Sequence, residues 1–401
     1  MSHVIVIGAG QAGASLCAKL RALGFDGAIT LIGEEPVPPY QRPPLSKAYL
    51  LGEMEEERLY LRPASYYEEN DITLRLGTRV REIDTKAQTV TLGNETLSYD
   101  HLVFTTGSTP RTLPVHLGGE LNGVFTVRDL SDADAMAPYV TAGKRAVVVG
   151  GGYIGLEAAA VARKRGVEVT LVEASERILQ RVAAPETSNF FRALHEEKGV
   201  TIREGVGFET FTGPDHVNGA VLTDGTELDI DFAIVGIGIS PASNIAEAAG
   251  VEIENGIKTD AQGRCSAPNT WAAGDCASFP WNGSQMRLES VGNAIDQAEL
   301  VAENIMGAEK DYVPKPWFWS DQYDVKLQIA GLNIGYDRIV TRKTEGAVSH
   351  WYYRGSDLLA VDAMNDPRNY MVGKRLIEGG KHPAPELIAD PATDMKALLR
   401  A

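Results

Sequence analysis

Cysteine is scarce. The 401 residues hold three, Cys17, Cys265 and Cys276, too few and too scattered for a disulfide framework or a metal knuckle, so they read as reduced thiols and no metal site is expected. Basic charge is short as well: 38 Lys and Arg face 54 Asp and Glu, for a net charge of -16. Nucleic acid and anionic membrane both require a basic footprint, so neither is an expected partner. No uninterrupted apolar run is long enough to span a bilayer. The chain opens on a β-branched run rather than on a charged segment with a cleavable apolar stretch, and the cytoplasm is the expected compartment.

What is present is ordinary in bulk. Hydrophobic content of 44% with 23% charged residues excludes a disordered chain, and the length suits two or three domains with sizeable cores. The charge is unevenly spread. Residues 321 to 401 carry eleven acids and eleven Lys or Arg, leaving 43 acids against 27 bases on residues 1 to 320. A neutral region on an acidic body is where an acidic protein partner approaches with least repulsion.

The chain is organised around its first thirteen residues. The apolar run His3-Val-Ile-Val-Ile7 leads into Gly8-Ala-Gly10-Gln-Ala-Gly13 and then a helical stretch from Ala14 to Leu23. Strand, glycine turn and helix in that order put Gly8 in the tight turn, bring backbone at Gly10 up to a pyrophosphate and let helix and strand pack closely at Gly13. A second apolar run, Ala28 to Ile32, ends at Gly33-Glu34-Glu35, where a carboxylate meets a ribose hydroxyl pair. Glu34 is the candidate, with Glu35 second in line.

The same pattern recurs. Arg145 to Val149 feeds Gly150-Gly-Gly152-Tyr153-Ile154-Gly155, then a helix from Leu156 to Arg165, then the strand Glu168 to Val172 ending at Glu173. Two complete fingerprints imply two dinucleotides bound at once. Glu173 can accept hydrogen bonds from a ribose 2′-OH and would repel a 2′-phosphate, and the adjacent Ala174 and Ser175 supply no cation, which points to NADH over NADPH. Arg177 and Arg181 lie a little further on.

Between and beyond these units the reading is coarser. The run Pro36 to Lys47 is too proline-rich for strand or regular helix and reads as an ordered loop. Short strands are expected at Thr73–Leu76, Arg79–Ile83, Gln88–Leu92 and Tyr99–Phe104, the last ending in a turn of small residues, Thr105-Thr106-Gly107-Ser108, that permits close backbone approach to a ligand. Leu228 to Val235 reads as one strand running into a similar turn, Gly236-Ile-Gly238. Thr270 to Asp275 reads as a strand delivering an acid to cofactor hydroxyls or to a helix cap. Ser290 to Ile305 is a helix with Val291, Ile295, Ala298, Ala302 and Ile305 on one face. After Pro314-Lys-Pro316 an antiparallel sheet and a helix near Asn369 to Ile377 are expected.

These residues carry a family likeness across the chain. The two fingerprints, Arg42-Pro-Pro-Leu-Ser-Lys47, Thr105-Thr-Gly107, Thr126-Val-Arg128, Gly236-Ile-Gly238, Gly274-Asp-Cys276 and Pro316-Trp-Phe-Trp-Ser-Asp321 resemble the putidaredoxin-reductase type of FAD-dependent ferredoxin reductase, which serves bacterial cytochrome P450 and aromatic-ring dioxygenase systems. The resemblance implies an α/β fold of two Rossmann-like dinucleotide-binding domains, glutathione-reductase-like, with a smaller α+β C-terminal domain. The FAD domain would comprise residues 1–110 and 238–318, the NAD domain 111–237 and an interface domain 319–401. By position in the motifs, Ala12, Glu34, Arg42, Lys47, Val80, Arg128, Asp275 and Val291 would join Gly8, Gly10, Gly13, Thr105 and Gly107 around the flavin nucleotide. Gly152, Ile154, Glu173 and Gly238 would join Gly150 and Gly155 around NADH.

The catalytic pair implied by the resemblance is Lys47, beside the flavin with its charge favouring the reduced ring, and Glu157, the acid that pairs with it. Tyr153 would cover the nicotinamide pocket or pack at a domain seam; Trp317 and Trp319 would line the electron route or sit in a core. Related disulfide reductases need a C-x4-C pair after the second strand, and peroxide-reducing relatives need one cysteine there. Residues 36 to 52 contain none, so electrons are expected to leave to an external one-electron acceptor, a [2Fe–2S] ferredoxin docking near the C-terminal domain with Arg342 or Arg354 as contacts. A rubredoxin partner, or a slow NADH-responsive binding flavoprotein, are the alternatives. A monomer or weak dimer is the expected state.

Overall fold

The computed structural model describes residues 2–400; the outermost positions of the expected domain division, Met1 and Ala401, lie outside the described residues. Contacts divide the chain into two compact units, one of residues 1–41, 55–109 and 239–316, the other of residues 42–54, 110–238 and 317–401.

The first unit is built on a parallel sheet in the order Thr270–Ala272, His101–Phe104, His3–Ile7, Ala28–Ile32, Ile72–Arg75. A parallel sheet is covered on both faces, which is why its strands read as continuous apolar runs. Val4 and Val6 face the helices Gln11–Ala22 and Val291–Ile305, while Ile5 and Ile7 face a second core shared with the three-stranded antiparallel sheet Val80–Asp84, Thr89–Leu92, Glu95–Ser98. The two helices lie side by side, with Leu16, Cys17 and Leu20 sharing a core with Ala294, Ala298, Val301 and Ala302, and Lys19 reaching Glu299 and Glu303. Of the expected helix face Ala298 and Ala302 are buried and Ile305 packs against the same core, whereas Val291 and Ile295 are only half-buried and Ala294 and Val301 are buried beside the others.

The second unit repeats the parallel arrangement in the order Thr201–Glu204, Glu168–Glu173, Arg145–Val149, Phe232–Val235, Val124–Phe125. Leu228 to Val235 is not one strand. Glu227–Asp229 closes an antiparallel sheet with Phe208–Thr212 and Gly219–Leu222, and the chain breaks at Asp231, whose carboxylate accepts the Arg145 N–H at 2.8 Å, before Phe232 enters the parallel sheet. The same unit holds a five-stranded antiparallel sheet in the order Trp317–Gln322, Val325–Gly331, Asp357–Met364, Ala347–Arg354, Arg338–Thr344, covered by the helix Pro367–Glu378. Among the described residues no helix is long and apolar enough to cross a membrane.

Candidate active site

The first glycine turn leaves no freedom in its shape. Gly8 sits at φ +114°, and a Cβ there would lie 2.2 Å from the Thr105 carbonyl oxygen; a Cβ on Gly13 would lie 2.2 Å from the Gly8 carbonyl oxygen. The Thr105 hydroxyl donates to that same Gly8 carbonyl at 2.8 Å. Gly10 is different. It is the N-cap of the helix Gln11–Ala22, no side chain caps it, and nothing lies within 4 Å of where its Cβ would be. The N–H groups of the first turn, without a side-chain cap, lie at the positive end of the helix dipole.

Groups from distant parts of the first unit gather near that opening. Gly274, at φ +82°, would bring a Cβ to 3.1 Å from Ala12 Cβ, so the turn before Asp275 lies against the fingerprint helix. Asp275 accepts from the Ser108 hydroxyl at 3.0 Å, and the Gly274 N–H donates to Gln297 Oε1 at 2.9 Å. The other end of the Gln297 amide, Nε2, is buried with no partner. An uncapped helix, a cleared space and an orphaned donor fit a dinucleotide. Sequence reasoning missed Gln297; its polar type at a buried helical position was the available signal.

Of the two adjacent acids, Glu35 is engaged by the Tyr40 hydroxyl at 2.5 Å, whereas Glu34 is 69% exposed, with Arg79 at 3.5 Å. Val80 is buried in the second core, Gly107 takes φ +70°, and Val291 is the first residue of its helix, capped by Ser290.

The second unit repeats the device. Gly150, at φ +110°, would place a Cβ 2.3 Å from the Gly236 carbonyl oxygen, and Gly155 would place one 2.0 Å from the Gly150 carbonyl oxygen. Gly236 thus does here what Thr105 does in the first unit. Gly152 caps the helix Tyr153–Lys164 without a side-chain partner and with nothing within 4 Å of a Cβ, while Ile154 is exposed beside it. Glu173 spans the mouth of the turn, Oε2 accepting from Gly151 N–H and Oε1 from Ser175 N–H, both at 2.7 Å. Its carboxylate is thereby fixed in place with lone pairs to spare, which fits a ribose diol. Arg177 is tied to Ser188 and the Gln180 carbonyl; Arg181 lies beside Gly238, which takes φ +103°.

Arg42, Lys47 and Arg128 belong by contacts to this unit. Arg42 donates to the Arg128 carbonyl at 2.9 Å, and Pro43–Ser46 forms a tight helical turn that presents Ser46 and Lys47. Glu157, two residues beyond Gly155, is 2% exposed. Lys47 Nζ is 2.8 Å from its Oε2, the Ser46 hydroxyl donates to Oε2 at 2.9 Å and the Ser320 hydroxyl donates to Oε1 at 2.7 Å. The expected pair is therefore formed, with two serine donors that sequence reasoning did not find. A buried ion pair persists only when its remaining lone pairs are satisfied in this way.

One helix turn back, Tyr153 packs its ring 4.9 Å from Phe318, with its hydroxyl buried and unpartnered. Trp317 and Trp319 take the other face of that strand, stacked on each other at 5.5 Å, with Lys374 over Trp317. Burial pushes the Cys17 thiol up to about 12 and raises Cys265 and Cys276 as well, which disfavours the thiolate at all three. No metal-ligand cluster occurs among the described residues. Arg342, expected at a docking surface, is 5% exposed and clamps the carbonyls of Ile388, Asp390, Pro391 and Thr393. Its charge is spent on the fold.

The family model for pyridine nucleotide-disulphide oxidoreductases matches residues 2–298, and that for the reductase C-terminal region matches 317–399. The chain belongs to the pyridine nucleotide-disulphide oxidoreductase family. Within that family, rhodocoxin reductase of Rhodococcus erythropolis is 41% identical over 99% of this chain and 94% of its own. Putidaredoxin reductase of Pseudomonas putida is 41% identical over 100% of this chain and 97% of its own. The solved covalent putidaredoxin reductase–putidaredoxin complex superposes with a TM-score of 0.95 at 39% identity, covering 100% of this chain and 98% of that one. As a pyridine nucleotide-disulphide oxidoreductase the chain is unusual in one respect: residues 36–52 hold no cysteine to form a disulphide.

Proposed function

We propose that this chain is an NADH-dependent ferredoxin reductase of the cytoplasm, moving electrons from NADH by way of bound FAD to a [2Fe–2S] ferredoxin that feeds a cytochrome P450 or a ring-hydroxylating dioxygenase. FAD, when bound, supplies the conversion between a hydride and single electrons. The first glycine turn, with Glu34 and Asp275 for hydroxyl groups, serves FAD; the second, with Glu173, Ile154 and Gly238, serves NADH. On this reading residues 1–110 and 238–318 are the FAD domain, 111–237 the NAD domain and 319–401 the domain near which the ferredoxin docks.

The observation that carries the reading is the content of the loop after Glu35. A member that reduces disulfides needs thiols there; this chain instead delivers Ser46 and Lys47 to the buried Glu157. Lys47 holds a positive charge for the flavin, and Glu157 holds Lys47. The names of the relatives, reductases of rhodocoxin and of putidaredoxin, support the choice of partner.

The test is steady-state turnover with NADH, purified ferredoxins from the same organism and cytochrome c as final acceptor. One ferredoxin should raise throughput far above the ferredoxin-free rate. Slow turnover with every ferredoxin, or acceleration by a rubredoxin alone, overturns the proposal.

A further inference from the structure

The Lys47–Glu157 pair is one end of a longer line of side chains inside the second unit. Beyond Ser320, whose hydroxyl meets Glu157 Oε1 at 2.7 Å, Gln322 Nε2 lies 3.1 Å from Ser320 Oγ. His195 Nε2 lies 2.8 Å from Gln322 Oε1, and Tyr323 Oη 3.4 Å from His195 Nδ1. Ser320, Gln322 and His195 are fully buried.

The spacing is that of a strand against helices. Phe318, Ser320 and Gln322 alternate onto one face of Trp317–Gln322, and Tyr153 and Glu157, four apart on a helix, meet the first two of them. His195, in the last turn of Pro185–Glu197, meets the third.

The protons in this line run one way. Paired with the Lys47 ammonium, the Glu157 carboxylate only accepts, so Ser320 spends its single proton on it. Ser320 must then accept from Gln322, which turns the amide so that its NH2 faces Ser320 and its carbonyl faces His195. His195 is thereby the Nε2–H tautomer, with Nδ1 bare to accept from Tyr323. Burial lowers the pKa of His195, which keeps the ring neutral as this arrangement requires. Every donor points toward Glu157.

We infer that Ser320, Gln322 and His195 are positioning residues that fix Glu157 and so set where the Lys47 charge is held. A buried glutamine and histidine cost free energy that an apolar pair of the same volume would not, and satisfied polar networks of this kind enforce one arrangement. The inference rests on the reading above in which Lys47 acts on the flavin.

The experiment is the flavin midpoint potential of the holoprotein, measured in Lys47→Met, Ser320→Ala, Ser320→Thr, Gln322→Met, His195→Leu and His195→Gln, and in Ser320→Ala and Gln322→Met each combined with Lys47→Met. FAD content and melting temperature confirm that each variant is folded. Lys47→Met should lower the potential. Ser320→Ala and Gln322→Met should lower it by less, Ser320→Thr and His195→Gln, which keep the donor, should restore it relative to Ser320→Ala and His195→Leu, and neither shift should survive in the Lys47→Met background. If Lys47→Met lowers the potential while Ser320→Ala and Gln322→Met leave it alone, or shift it equally without Lys47, the positioning role is refuted and the role of Lys47 stands. If Lys47→Met leaves the potential unmoved, the role of Lys47 fails and the positioning role fails with it.

Discussion

Glu173 holds the Gly151 amide at 2.7 Å, so the acid at the end of one strand is part of the glycine turn at the end of its neighbour. A 2′-phosphate arriving there meets a carboxylate that cannot swing away without releasing Gly151 and Ser175. NADH is expected to exceed NADPH in kcat/KM by roughly tenfold or more, the scale of one unfavourable charge contact. Glu173→Arg narrows the gap, chiefly through KM. Equal use of the two cofactors by the unaltered protein contradicts this.

The two kinds of glycine in a fingerprint separate by mutation. Gly155→Ala forces a methyl group onto the Gly150 carbonyl and should destabilise the fold. Gly152→Ala meets nothing within 4 Å and has φ -79°, so the protein should fold and melt as before while KM for NADH rises, as expected if the methyl group takes the room that the proposed NADH site gives the pyrophosphate. Thermal melts paired with NADH titrations check both.

Lys47→Ala strips the counter-charge from a carboxylate that is 2% exposed. Breaking a buried pair from one side costs about 3–5 kcal/mol, so the denaturation midpoint should fall, and flavin reduction by NADH should slow. Lys47→Ala combined with Glu157→Gln should regain much of the stability but not the rate. Unchanged rate and FAD content in Lys47→Ala contradicts the role given to the pair.

Arg342 and Arg354 should behave oppositely under charge reversal. Arg342→Glu removes the clamp on the backbone of Ile388 to Thr393 and should lower stability, affecting every assay alike. Arg354 is exposed; Arg354→Glu should slow ferredoxin reduction and leave ferricyanide reduction intact. Equal loss in both assays for Arg354→Glu removes it from the docking surface.

A second buried cluster gives a pH prediction. The Thr187 hydroxyl donates to Asp362 at 2.7 Å and meets His350 Nδ1 at 2.9 Å, and Tyr352 donates to the same carboxylate. Burial pushes Asp362 up to about 6 and His350 down to about 4. The folded protein thus holds its Asp362 proton between pH 3.8 and 6 where the unfolded chain has lost it, so this group's contribution to stability falls as pH rises through that window. His350 acts in reverse: between pH 4 and 6.5 the unfolded chain binds the extra proton, and stability rises with pH. The two slopes oppose each other. Asp362→Asn should therefore steepen the loss of stability on acidification from pH 6.5 to 4, and His350→Gln should flatten it, as read by denaturant midpoints across that range.

The glycine turns, their strands and helices were legible because each depends on local backbone conformation that only glycine takes freely, followed by apolar periodicity. Gly8 and Gly150 illustrate it: both need positive φ and both abut a carbonyl from the strand exit beside them. The partners of Glu157 were legible only in part. Lys47 came from the resemblance, whereas Ser320, 163 residues away, is brought in by a strand whose aromatic neighbours drew attention instead. The burial of Arg342 is not legible, because a charged residue on a strand carries no mark of the returning tail that covers it. The break at Asp231 was hidden because the apolar run continues across it.

The account stands or falls on anaerobic stopped-flow mixing of the yellow holoprotein with NADH, followed by mixing with a ferredoxin. It predicts that the flavin absorbance bleaches at least as fast as overall turnover, much faster than with NADPH, and returns as the oxidised [2Fe–2S] signal disappears. A flavin that stays oxidised under NADH, or one that bleaches but never passes its electrons to any ferredoxin, contradicts it.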